Sequence, residues 1–398
     1  MARVDPKELY ESMLSKTGQE LQRVLSEKGL SSCLLQYANK LGFPYREVIE
    51  QWHFRRSSQS KFPSLLKRMP HWIFPSSQSI EQATPEAVAI RKSKAFSGNT
   101  VLDMTGGLGI DFLFLAKRAE KAVYVEQNTW LAEVARWNFR DLNQVEVICG
   151  DAKDALEDLN IELDLLYVDP DRRVKGQRTF LPEESSPNIA ALWPLMRKKA
   201  KHIWIKMSPM VDITSLTKSF PDYSEIEVWA LQRDVKELLL RFAPRIGAQQ
   251  IHTHHILHGD TVERFDARVE DIHVPAQTSG VEVFIYEPNP AVMKLGAWRK
   301  LAQDFELKML DTHTHMFTGA SYRDDFPGKV WRVEKMGKPG DKSLLNPNGM
   351  HIISRNFPQK AEDIRRKYRI PEGETLLLAC SVGGDKYWIT GRPQLTSR

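Results

Sequence analysis

Cysteine is scarce in this chain: Cys33, Cys149 and Cys380 are the only three in 398 residues. They form no C-x-x-C pair and no even disulfide set, which points to a reducing compartment. They also exclude a zinc ribbon or an iron–sulfur cluster built on clustered thiolates. Missing too is any apolar run near the roughly 18 residues that a membrane span requires. The first residues, MARVDPKELYESML, have no apolar core ahead of a small-residue cleavage site. The expectation is therefore a cytoplasmic protein with no secretory signal and no membrane partner. Internal repeats and long low-complexity tracts are absent as well. What is present is a globular composition, with 41% hydrophobic and 27% charged residues, which excludes a mostly disordered chain. At about 150 residues per domain, the length suggests two or three domains.

The net charge of +5 is modest, but it is unevenly spread. Residues 1–95 hold 15 basic and 9 acidic side chains, and residues 323–398 hold the same numbers. Residues 100–245 hold 20 and 23, and residues 246–322 hold 6 and 10. Basic ends around a neutral-to-acidic middle suit a polyanion gripped on either side of a central site. The alternative is two ordinary solvated surfaces.

Residues 6–50 read as two or three helices, with Leu9, Met13, Leu14, Leu21, Val24 and Leu25 at spacings of three and four. Gly29 and the Gly42-Phe-Pro44 stretch break the run. An irregular Ser/Pro/Gln/aromatic segment over 55–85 leads to a helix that Thr84 can cap and Pro85 can open. From residue 100, strands alternate with helices. The strands are 100–103, 122–126, 145–149, 163–169, 202–206, 225–231 and the apolar run 237–242. The helices are 109–118, 129–141, 151–158, 187–199 and 212–219. This order predicts an α/β, doubly wound, Rossmann-like parallel sheet, in which ligands bind outside the carboxyl ends of the strands. After about residue 246 the pattern turns irregular, as in small α+β units. IHTHHIL and VEVFIYE read as strands, PAVMKLGAWRKLAQDF as one helix, and PQKAEDIRRKY as a basic helix between further strands.

The strand ends carry the chemistry. The first opens into Asp103-Met-Thr105-Gly106-Gly107-Leu-Gly109-Ile-Asp111, where glycines let a ligand approach the backbone above a helix N-terminus. A dinucleotide turn wants a third glycine where Phe112 stands. An acid at the strand end also repels a diphosphate and attracts an ammonium group. The second strand ends in Glu126-Gln127, and Glu126 can accept hydrogen bonds from both hydroxyls of a ribose. The third ends in Gly150-Asp151-Ala152, which can bond an adenine amino group and ring nitrogen.

This ordered set resembles class I S-adenosylmethionine-dependent methyltransferases, with Thr105 in place of the first loop glycine. The D-x-T-x-G-x-G run followed by Asp111 is similar to the loop of some ribosomal-RNA guanine-N2 methyltransferases. Thr84-Pro85-Glu86 resembles the leading helix of the cap trimethylguanosine synthases. Over nearly its full length the chain resembles a bacterial methyltransferase family with a THUMP-like C-terminal domain. The residues that carry this are Glu81-Gln82-Ala83-Thr84-Pro85-Glu86, Asp169-Pro170-Asp171-Arg172-Arg173 and Lys206-Met-Ser208-Pro209. The resemblance implies a helical domain over 1–80 and a methyltransferase domain over 81–245. It further implies a ferredoxin-like α+β domain over 246–322 and a THUMP-like domain over 323–398. It implies S-adenosylmethionine as cofactor, held by Thr84, Asp103, Thr105, Gly106, Gly107, Gly109, Asp111, Glu126, Gln127, Asp151 and Ala152. THUMP domains bind RNA in RNA-modifying enzymes, so ribosomal or transfer RNA is the implied partner.

Asp169-Pro170 stands where amino-group methyltransferases read D/N-P-P-Y/F. There the acid accepts from the target NH₂ and turns the nitrogen lone pair toward the methyl group. Asp171 replaces the second proline, and Arg172 replaces the aromatic residue. A guanidinium can stack on a base or clamp a phosphate, or it can pair with Asp171 or Glu183. Asp169, Pro170, Asp171 and Arg172 are the candidate catalytic residues. Arg173, Lys206, Ser208, Pro209, Arg365 and Arg366 are the candidate substrate contacts; for Ser208-Pro209 a loop-shaping role is the alternative. Asp234-Val-Lys236-Glu237 is given no catalytic role. His252, His254, His255 and His258, with His313 and His315, read as polar strand faces, since methyl transfer from a sulfonium requires no metal. Trp52, Trp72 and Trp130 read as core anchors. The expected activity is methylation of an exocyclic nitrogen of RNA, at guanine N2 or adenine N6. The alternatives are a small-molecule or protein methyltransferase, and a non-catalytic RNA-binding module.

Overall fold

The computed structural model describes residues 4–172, 182–244, 247–257 and 261–394, with Arg172 described by its backbone alone. Of the residues singled out above, Arg173 and His258 lie outside the described residues. The chain forms two compact units. One comprises 1–224 with 236–247, the other 225–235 with 248–398.

In the first unit, Asp5 caps α1 (Pro6–Leu14) and Ser15 caps α2 (Lys16–Lys28) through backbone N–H groups of their first turns. Gly29, with φ of 77°, turns the chain into α3 (Leu30–Tyr37), and α4 (Tyr45–Ser57) follows. The apolar spacing has the expected consequence: Leu9, Met13, Leu21, Val24 and Leu25 share one buried cluster with Cys33, Val48, Ile49, Ile73 and Val134. Leu14 is the exception and stays half-exposed. Trp52 and Trp130 pack against this cluster, and the Trp52 indole donates to the Gly18 carbonyl. Trp72 is fully buried, so all three tryptophans are core anchors.

The irregular segment carries α5 (Leu65–Arg68) and α6 (Ser77–Gln82), then leads into α7 (Glu86–Ser93). Its buried Trp72-Ile73-Phe74 stretch is held by two amides. Gln51 accepts from Phe74 N and donates to Phe74 O. Asn138 does the same for Ile73, at 2.8 and 2.9 Å.

The alternating region follows: β1 (Thr100–Asp103), α8 (Ile110–Ala116), β2 (Lys121–Glu126), α9 (Thr129–Asn138), β3 (Val145–Cys149), α10 (Ala152–Asp158) and β4 (Leu163–Val168). A two-stranded ribbon, β5 (Asp171–Arg172) with β6 (Ser185–Ser186), precedes α11 (Ile189–Lys199), β7 (Ala200–Met207) and α12 (Ile213–Ser219). β8 (Glu225–Leu231) belongs to the second unit, and the chain returns to the first in β9 (Asp234–Phe242). The strand order in the first unit is β9-β7-β4-β1-β2-β3, all parallel except β9. The order reverses at β1, flanked by β4 and β2, which creates the crevice where doubly wound sheets bind ligands. Helix α8 starts at Ile110 because Gly109 takes a left-handed φ of 72°. A side chain there would run into the Phe139 ring.

In the second unit, β8 pairs in parallel with β10 (Gln250–Ile256), whose other edge takes β11 (Val262–Ala267) antiparallel. The 262–267 strand was not foreseen in the sequence. The helix expected over PAVMKLGAWRKLAQDF is two helices, α13 (Pro290–Leu295) and α14 (Trp298–Asp304), because Gly296 adopts a φ of 72° and ends the first. A seven-stranded sheet has the order β13 (Lys308–Met309), β14 (Phe317–Gly319), β12 (Phe284–Pro288), β15 (Gly328–Gly337), β18 (Asp385–Pro393), β17 (Leu376–Val382), β16 (His351–Arg355). β16 and β17 run parallel, joined by α15 (Ala361–Tyr368), and Ile364 of α15 packs in a cluster with Leu377, Ala379 and Trp388.

His252, His254 and His255 are strand-face groups of β10, whereas His313 and His315 lie in the turn between β13 and β14, where His315 stacks on Trp298 at 4.5 Å. His252 Nδ1 lies 2.8 Å from Asp266, His255 lies between Glu263 and the Gln232 carbonyl, and the His254 ring stacks on Trp229 at 4.2 Å. Among the described residues, no three His, Cys, Asp or Glu side chains gather as a metal-ligand set. Among them, too, no helix is long and apolar enough to cross a membrane.

The two Asn138 bonds are buried, so Asn138→Ala strands two backbone groups. Its unfolding free energy should fall by about 1–3 kcal/mol in chemical denaturation. A change under 0.5 kcal/mol would show that the Ile73 strap is held by its apolar side chains alone.

Candidate active site

Each carboxyl end of the central strands delivers an acid to the crevice. Asp103 ends β1, and its Oδ1 accepts from the backbone N–H of Thr105 at 2.9 Å and lies 3.2 Å from the Thr105 hydroxyl. Its carboxyl is almost fully buried. Burial, together with the nearby Asp111 and Asp169 charges, outweighs those hydrogen bonds and pushes its pKa up to about 8. Among the described residues no basic side chain pairs with it.

Glu126 ends β2, and one carboxylate oxygen accepts from Gly107 N at 2.9 Å, the other from Asn128 N at 2.8 Å. The glycine loop and the second strand end are thus tied to each other. Tyr124, buried beneath, donates to the Gly107 carbonyl at 2.7 Å. A Cβ on Gly106 would overlap the Tyr124 ring, whereas one on Gly107, at φ of 65°, would meet nothing nearer than the Thr105 carbonyl at 3.7 Å. Gln127 is exposed beside Glu126. Asp151 is exposed at the end of β3, where it caps α10 through Lys153 N and Asp154 N, while Ala152 behind it is buried.

The end of β4 presents Asp169, whose side chain is 44% exposed, ahead of a buried Pro170 and an exposed Asp171. The Asp169 backbone N–H donates to the Thr105 hydroxyl at 2.7 Å, which ties the fourth strand end to the glycine loop. Lys206, near the end of β7, places its ammonium 2.6 Å from Asp169. Ser208 accepts from Met210 N and Pro209 completes that turn, so this pair shapes the loop. Arg172 pairs through its backbone with Ser185.

Behind Asp169 the sequence reading missed a buried ladder of charge. Lys92 of α7 has its ammonium 2.8 Å from Asp111 Oδ1 and 2.5 Å from Glu237 Oε1, with all three side chains removed from solvent. Asp111 Oδ2 accepts from the Thr84 hydroxyl at 2.6 Å and from the Tyr167 hydroxyl at 2.8 Å. Lys206 lies 3.9 Å from that same oxygen. Burial pushes the Asp111 carboxyl up, but the ammonium groups of Lys92 and Lys206 bring it below its ordinary value. Burial wins at Glu237, which is held above the usual range. The Thr84 hydroxyl also lies 2.9 Å from Glu237 Oε2, so it bridges the two buried carboxyl groups. Thr84 and Asp111 therefore serve this ladder. The signals available were a glutamate in the apolar run ELLLRF and a lysine on the helix behind Thr84.

Two further candidates lie in the second unit. Arg365 donates to the carbonyls of Met350, Ile370 and Pro371 and pairs with Glu372. Arg366 pairs with Asp363 at 2.6 Å. Arg365 is thus engaged in closing α15, whereas Arg366 is an exposed side chain with one surface pair within the helix.

Residues 284–327 match the family model of a ferredoxin-like domain, and residues 328–393 that of a THUMP domain-like family. An uncharacterized S-adenosylmethionine-dependent methyltransferase of Mycobacterium tuberculosis, known from strains H37Rv and CDC 1551, is 25% identical over 276 residues. The match covers 68% of this chain and 73% of that protein. The crystal structure of a "putative methyltransferase" from Porphyromonas gingivalis W83 is 26% identical, with a TM-score of 0.83, and covers 99% of this chain and 100% of that one. Fold, strand-end acids and relatives define the class: the protein is an S-adenosylmethionine-dependent methyltransferase. It is of the kind that carries ferredoxin-like and THUMP-like C-terminal domains.

A carboxyl raised to about 8 in the folded protein binds its proton more tightly there than in the unfolded chain. Its contribution to stability is complete below about pH 4 and is lost as pH rises through 8. Relative to wild type, Asp103→Asn should gain up to about 1.4 kcal/mol per pH unit across that window and then level off. Urea denaturation at pH 5, 6.5 and 8 reads this, and a pH-independent difference contradicts the burial of an uncompensated acid.

Proposed function

We propose that this methyltransferase acts on RNA, on ribosomal or transfer RNA in the cytoplasm, at an exocyclic base nitrogen such as guanine N2 or adenine N6. The observation that carries this reading is the half-exposed Asp169-Pro170 at the end of β4, fixed by Lys206 and Thr105 beside the acids of β1 and β2. The domain order 1–80, 81–245, 246–322 and 323–398 belongs to the same reading.

The residues present suit the donor. Among the described residues no cation pairs with the buried Asp103 carboxyl, which matches an amino-acid ammonium near a sulfonium. Gly107 leaves room at the loop, and each Glu126 oxygen retains a lone pair for a ribose hydroxyl. Asp151 and Ala152 stand where an adenine edge would bond. When bound, the donor supplies an electrophilic methyl group. Asp169 accepts a hydrogen bond from the target NH₂, turning the nitrogen lone pair toward that methyl. Asp169, facing that nitrogen, would also take the proton the methylated amine gives up. Positioning of this kind is the main lever a protein has on an in-line displacement.

The basic termini and the THUMP domain-like match support RNA as the acceptor. With Arg365 turned to the carbonyls that follow its helix, the exposed Arg366, Lys329, Lys335, Lys360 and Lys367 are the phosphate contacts.

Calorimetry with S-adenosylhomocysteine should show binding that Glu126→Ala weakens about tenfold or more. Unchanged affinity in the variant removes Glu126 from the donor site. Mass spectrometry of RNA nucleosides from cells lacking the gene should show one N-methylated base lost and restored by the wild-type gene, but not by Asp169→Ala. An unchanged nucleoside profile overturns the RNA assignment.

A further inference from the structure

We propose that Lys92, Tyr167 and Thr84 are positioning residues for methyl transfer, acting together by compensating the Asp111 carboxylate so that Lys206 is left to hold Asp169. The proposal rests on Asp169 being the acceptor-orienting acid and deepens that reading.

Lys206 has two acids in reach. Its ammonium is 2.6 Å from Asp169 and 3.9 Å from Asp111 Oδ2. Asp169 is half-exposed and solvated, whereas Asp111 is buried, where an unbalanced charge attracts a cation far more strongly. Left alone, the lysine would be drawn inward. It stays outward because the Asp111 charge is already compensated: Oδ1 is ion-paired with the Lys92 ammonium at 2.8 Å, without a hydrogen bond among the described residues, and Oδ2 accepts two hydroxyls at 2.6 and 2.8 Å. Lys92 is in turn fixed by Glu237 on its far side. The arrangement is expensive to bury. Well-packed apolar residues commonly serve stability as well as a buried ion pair does. Its connection to the one exposed acid of the ladder gives it a use. A Lys206 held on Asp169 pins one carboxylate oxygen and leaves the other for the target amine, in one orientation.

Tyr167→Phe is the direct test, since it deletes one hydroxyl and keeps the ring. Crystal structures of wild type and variant read the position of the Lys206 ammonium. Methyl transfer from labelled S-adenosylmethionine to RNA from cells lacking the gene reads turnover, and calorimetry with S-adenosylhomocysteine reads the donor site. The expected result is a lysine moved to hydrogen-bond distance of Asp111 and away from Asp169, with kcat down tenfold or more and homocysteine-product affinity within twofold of wild type. Lys92→Met should shift the lysine in the same direction and further. If it does not fold, Tyr167→Phe alone decides. A lysine that stays on Asp169 overturns the proposal whatever the rate, and so does a shifted lysine with unchanged kcat. Should wild-type protein transfer no methyl to this RNA, the acceptor assignment fails. The lysine position then still decides whether Asp111 is what keeps Lys206 outward.

Discussion

An ammonium group with almost no exposure to water sits within the first unit, and its neutralisation governs what surrounds it. Lys92 is tolerable there because Asp111 and Glu237 flank it and because two hydroxyls complete the shell of Asp111. The residues come from α7, α8, β4 and β9, so the condition can be met only when the leading helix, the glycine-loop helix and two strands are all in register. Electrostatic closure of that shell thus fixes the rear wall of the crevice, and the front wall is the exposed Asp169 with Lys206.

The glycine loop is fixed by a second set of ties. Thr105 contacts Asp103 and receives the Asp169 N–H, while Glu126 receives the Gly107 N–H. Three successive strand ends are therefore bonded to a single loop. A ligand that meets this loop meets all three acids in a geometry set before it arrives, which is what preorganisation requires.

Much of this was legible in the sequence. The alternation of short apolar strands with helices fixed the sheet, and acids could be assigned to three strand ends, because period and strand-end chemistry are local properties. What was not legible depended on distance in the chain. Glu237 lies 145 residues from Lys92, and no local pattern announces that pair. Thr84 read as a helix cap and cofactor contact, yet its hydroxyl faces Asp111 and Glu237. Arg365 read as a phosphate contact because its charge was visible and the Met350, Ile370 and Pro371 carbonyls it binds were not. The helix over 290–305 split for a local reason, Gly296, that its apolar periodicity concealed.

The measurement that tests the account most directly is a crystal structure of the protein soaked with S-adenosylhomocysteine. The account predicts density in the crevice at the β1–β2–β3 ends, with the amino-acid part against Asp103, the ribose on Glu126 and the purine at Asp151. Absence of density at saturating ligand, or density at a site that touches none of these three carboxylates, would contradict it.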